Sequence, residues 1–238
     1  MDTTILPLPG IRQPFSAFSH YFGLALMLYT TALLFRLARS GLQRKSMVCF
    51  GVCACLLYGI SAIYHTLTGS PKLIQIFRRL DFSAIFLLIA GTWTALFSVL
   101  PARLRRTMLL LVWSVATLGI LGKWILPIGA SGITLSLYIL LAILGFLPFR
   151  ALKREIGWRG LALGALGGLF YLIGGTFDAL KWPTLISGVV HAHELLHILD
   201  LLGTGTHVML IIQLTQADPA RAQDFVAPVL HDPLETSP

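Results

Sequence analysis

RRLDFSAIFLLIAGTWTALF, residues 78–97, decides the fold: after Asp81 it runs sixteen residues to Phe97 without a charge. Apolar runs of about 20 residues are what a helix needs to cross a bilayer. Six further stretches read the same way, so crossings are expected at about 16–37, 46–66, 80–100, 106–125, 133–149, 160–180 and 187–214. The composition agrees, with 56% hydrophobic and 12% charged residues. Soluble domains carry about 25% charged residues. The fold class is all-α, a polytopic bundle of seven transmembrane helices.

Three segments follow from this partition. Residues 1–15 are proline-rich and expected to be irregular, 16–214 form the membrane domain, and 215–238 form a flexible polar tail. The first apolar stretch lacks a cationic leader and a small-residue cleavage site, so it is read as a retained helix. The formal net charge of +8 fits basic loops at a membrane surface. No basic run is interleaved with aromatics, which argues against a nucleic-acid partner. Counted by loop, the Lys and Arg residues split twelve to six in favour of a cytoplasmic C-terminus. Cys49, Cys53 and Cys55 share one crossing and are read as small apolar filler. Gly160, Gly164 and Gly168 recur every four residues, a spacing that lets a neighbouring helix approach closely; their crossing is expected to lie inside the bundle.

Ionisable groups at membrane depth are costly and usually functional. His193 and His197 stand at i and i+4 in HAHELLHILDLLG (191–203), and His65 closes LLYGISAIYH (56–65). In a chain that crosses seven times, ends of even crossings and starts of odd ones share a membrane face. His65, Asp81, His193 and His197 therefore fall in one leaflet. Three imidazoles with a fourth tetrahedral position left for water are the donor set of a catalytic Zn2+ site, where bound water becomes a nucleophile at neutral pH. Asp81 is placed to accept a proton from that water, and Ser61, one turn before His65, to donate to a developing oxyanion. His191 points to another side and is left out. His207 is read as an interhelical hydrogen bonder, and His20 as a candidate to support the ligands from behind.

These residues resemble the progestin and adipoQ receptor family, specifically its haemolysin III-like branch. Ser61-Ala-Ile-Tyr-His65 matches the Ser-x-x-x-His motif, Asp81 begins a matching run through Thr94, and His193 and His197 match His-x-x-x-His, with His207 beyond. The resemblance implies seven helices, zinc on the three histidines, and, through the related alkaline ceramidases, hydrolysis of an amide or ester in a ceramide-like lipid. It places the protein in a cell membrane, plasma or inner, with the bilayer and a lipid substrate or ligand as partners. Receptor members of the family take the orientation opposite to the loop count, and the oligomeric state stays open. The chain departs from the family at an early acidic-and-Asn motif, where it has Gln13 and Ser16, and at Phe82 and Ala95; none of these is expected to touch the ligands. Two rival readings are a sensor, receptor or pore braced by a structural zinc, and an intramembrane metalloprotease using His193-Glu194-x-x-His197.

Overall fold

The computed structural model describes residues 5–125 and 131–216, with the side chains of 131 and 132 left aside. Seven helices follow one another: α1 (Pro14–Leu37), α2 (Gly41–Thr66), α3 (Pro71–Leu96), α4 (Ala102–Ile125), α5 (Ser131–Leu144), α6 (Phe149–Leu180) and α7 (Ala192–Gln216). A 3-10 turn at Phe97–Val99 joins α3 to the connection before α4. Six of the helices are long and apolar enough to cross a membrane, and the fifth offers a shorter apolar stretch, Ile133–Leu144. There is no β-strand among the described residues, only two isolated bridges. The protein is an all-α, multi-pass membrane protein. The expected tail lies almost wholly outside the described residues.

Local chemistry explains where the helices differ from the expected crossings. Two of them start early because serines cap them. Ser40 accepts from the backbone N–H of Gln43 at 3.1 Å. Ser70 accepts from Leu73 N–H at 3.3 Å, and Pro71 follows at the first helical position, where its missing N–H costs nothing. Asp81 therefore sits almost three turns inside α3, not at its start. The basic residues Arg150, Lys153, Arg154 and Arg159 belong to α6, which begins at Phe149. That helix is broken at Gly157 (φ 65°, ψ −176°), a conformation open to a residue without a Cβ.

The most extensive packing joins α1 to α2, α2 to α3 and α6 to α7, and α7 also touches α1 and α3. In the apolar windows of α2 and α3, 56% and 67% of residues are buried, against 22% in α4 and in α6. The pair α2–α3 is thus the centre of the bundle. Cys53 fills the gap there: a Cβ on Gly91 would lie 2.9 Å from the Cys53 Cβ, and all three cysteines are free thiols. Exposed apolar side chains such as Phe22 and Tyr29 on α1 and Leu110 and Leu118 on α4 face outward, as a lipid solvent requires.

The glycine face of α6 corrects one expectation. Gly168 meets open space and Gly160 meets its own helix at Ile156. The contact with α7 runs instead through Gly164, Gly167 and Gly174, where added Cβ atoms would approach Leu210, His207 and Leu196. A strict four-residue spacing drifts around a 3.6-residue helix, whereas 164, 167, 171 and 174 stay on one face. Nor is α6 central: it presses one face on α7 and leaves most of its surface outside.

Candidate metal centre

His65 lies in the last turn of α2, and His193 and His197 lie in the first two turns of α7. The Nε2 atoms of His193 and His65 are 3.4 Å apart, and those of His197 and His193 are 3.1 Å apart. One nitrogen from each of the three rings lies within 4.8 Å of the others. Four donors at about 2.05 Å in tetrahedral array would sit about 3.3 Å from one another. The His65–His193 and His193–His197 spacings are therefore those of ligands around one small cation.

Outer contacts sharpen the fit. His65 Nδ1 lies 2.6 Å from the Gln13 side-chain oxygen, and His193 Nδ1 lies 3.1 Å from Asp178 Oδ1. Each is an acceptor, so each Nδ1 carries the proton and each Nε2 turns a lone pair inward. Two lone pairs facing at 3.4 Å repel unless a positive charge lies between them. These three histidines form a group that could hold a metal ion, and the donor set suits zinc.

Gln13 corrects the expectation that the departures from the family pattern avoid the ligands. Its backbone N–H also donates to the His65 carbonyl at 3.0 Å. Arg12 holds the same strap in place: its guanidinium donates to the Tyr64 and Leu67 carbonyls at the end of α2 and lies 4.5 Å from the Tyr64 ring centroid. Upstream, the Leu6 N–H donates to Gly188 O at 2.8 Å. The segment before α1 thus closes over the end of the bundle where the histidines meet.

Glu194 is buried and engaged elsewhere. It accepts from the Ser16 hydroxyl at 2.9 Å and from the His191 backbone N–H at 3.1 Å. The second bond is the reciprocal half of a capping box, with Glu at the third helical position reaching back to the residue before the helix. His191 is held in the preceding turn by Thr184 and Gly188, away from the other rings. Asp81 is buried, accepts a hydrogen bond from Ser61, and lies within electrostatic reach of His193 and Arg78. Arg79 donates to the Lys123 carbonyl on α4, a packing contact.

Asp178 is the participant that motif reasoning missed. It also pairs with Lys181 at 2.8 Å. A signal was present, because the end of α6 is the end of an even crossing and falls in the leaflet of the other residues. His207 does bridge helices, with Nε2 at 3.2 Å from Gly164 O.

A family model described as haemolysin-III related matches residues 11–208, which includes His65, Asp81, Asp178, His193 and His197. The Hemolysin-3 homolog of Bacillus subtilis (strain 168) is 34% identical over 137 residues, 57% of this chain and 64% of that protein. Hemolysin-3 of Bacillus cereus is 33% identical over 129 residues, 54% of this chain and 58% of its own length. The chain therefore aligns with less than two thirds of either relative. With the family model covering most of the chain, including Arg12 and Gln13, all three histidines and Asp81, the protein belongs to the haemolysin-III related family.

Proposed function

We propose that His65, His193 and His197 hold Zn2+ and that the protein is a zinc-dependent hydrolase of an amide or ester in a membrane lipid, with ceramide-like lipids as the substrate class. The observation that carries this reading is the convergence of three imidazole Nε2 atoms whose outer nitrogens, on His65 and His193, are committed to acceptors. Zinc held this way supplies Lewis acidity and lowers the pKa of water towards 7.

The chain's own groups then have defined tasks. Asp81 is the buried carboxylate on the facing helix, suited to take a proton from the attacking water and return it to the leaving group. Ser61 donates to that carboxylate, fixing its orientation; this replaces a direct oxyanion contact as its most economical role. Gln13 and Asp178 hold two rings in the tautomer that ligation needs. Placement of the site among crossing helices suits a substrate that arrives through the bilayer of a cell membrane. Glu194 does not serve as a protease base in this arrangement, since both of its oxygens are bonded at the junction of α1 and α7.

Metal analysis of the purified protein, alongside His65→Ala and His193→Ala, tests the centre. The expected result is about one zinc per chain in the parent and none in either variant. Hydrolysis of a ceramide-like lipid then tests the chemistry, with Asp81→Asn keeping zinc and losing roughly 10²–10⁴-fold in rate. Zinc without turnover on any lipid amide or ester would leave a structural metal in a sensor or pore and overturn the hydrolase.

A further inference from the structure

His65 and His193 each have an outer partner, and His197 has none. Among the described residues, four buried side-chain nitrogens lack a hydrogen bond: His197 Nδ1, both ring nitrogens of His20, and His207 Nδ1. Three of these four atoms lie together. The rings of His20 and His197 are 3.8 Å apart between centroids and tilted by 44°. His20 is 2% exposed and His197 2% exposed, and the Tyr58 ring closes the edge of His20 at 5.0 Å.

Leaving a buried polar atom without a partner is costly, so three in one place call for something that satisfies them. The two tilted rings make no direct hydrogen bond to each other through these atoms. A water at the shared edge can serve both planes. Buried waters typically make two to four hydrogen bonds to such groups.

We propose that His20 is a positioning residue for the metal centre: with at least one ordered internal water it accepts, through that water, the Nδ1–H of His197. This supplies the third ligand with the outer partner that Gln13 and Asp178 supply to the other two, and it turns the His197 lone pair inward at Nε2. The proposal rests on the three-histidine metal reading and adds to it a fourth histidine that never touches the ion. His20 belongs to α1, so the first crossing supports two ligands, His65 through Gln13 just before it and His197 through His20.

The test is metal affinity of the full chain, measured by zinc competition against a chelator, with turnover set aside. His20→Phe keeps an aromatic ring between Tyr58 and His197 but removes both nitrogens. The expected loss in zinc affinity is about 10–100-fold, with the thermal midpoint of the metal-free protein held or raised, since two unsatisfied nitrogens are gone. His20→Gln, which can still bond a water, should recover part of the affinity. An affinity for His20→Phe equal to the parent's, or a fall only in the metal-free midpoint, would overturn the proposal while leaving the centre intact. A parent that binds no zinc would instead end the metal reading itself. If His20→Phe does not fold, a crystal structure of the parent decides: a water touching both rings supports the role, and protein partners on the His20 nitrogens refute it.

Discussion

Histidines face the bundle interior at the start of α7 and again past its midpoint, here its near and far ends, and the two use them in opposite ways. At the first turns, the Nε2 atoms of His193 and His197 face each other, and that of His193 also faces His65. About 21 Å further along the helix, His207 spends Nε2 on the Gly164 carbonyl of α6. Its ring fills a notch where a Cβ on Gly167 would come within 2.4 Å of that nitrogen. One end concentrates acceptors around a point; the other pairs a donor with an acceptor across a tight helix contact. Residue type is the same at both, so what separates the metal-facing histidines from the packing one is the fate of each ring nitrogen.

The contrast breaks most cleanly under substitution. His193→Ala should lose zinc by more than the roughly 10–100-fold that removal of an outer partner costs, whereas His207→Leu should bind zinc like the parent. Equal losses in the two variants would mean that the ends are not distinct. Asp178→Asn comes next: the neutral amide still meets His193 Nδ1 but polarises it less, so zinc affinity should fall by about tenfold without a matching loss of fold, read by chelator competition. The smallest effect belongs to the packing end. Gly167→Ala forces the His207 ring aside and should destabilise the α6–α7 contact by about 1–3 kcal/mol, seen as a lower thermal midpoint with zinc affinity unchanged. A drop in zinc affinity there would show that the two ends are coupled through α7.

How much of this was legible in the sequence follows the same division. Parity of the crossings brought His65, Asp81, His193 and His197 to one face, because helix ends in a serial bundle alternate sides whatever the packing. It also held the clue to Asp178, which no motif marked. Gln13 was visible only as a departure from a family pattern, since its position over His65 depends on an irregular strap that no periodicity describes. Glu194 fitted a protease motif letter by letter, yet the backbone start of α7 at Ala192 turned it into a cap. The glycine face that meets α7 runs through Gly164, Gly167 and Gly174, because a four-residue step drifts around a 3.6-residue helix, and beside the break at Gly157 it is Ile156 that lies against Gly160. Hydropathy placed the crossings but not the helix ends, which the serine caps at Ser40 and Ser70 carried beyond the apolar stretches.

Imidazoles from α2 and α7 sharing one ion is the arrangement on which the proposed chemistry depends. X-ray absorption at the zinc edge on the purified, detergent-solubilised full chain tests it most directly. The expected result is about one zinc per chain, with a first shell containing three imidazole nitrogens at about 2.0–2.1 Å that disappears in His65→Ala. A protein that carries no metal, or whose zinc shell is unchanged when His65 is removed, would contradict it.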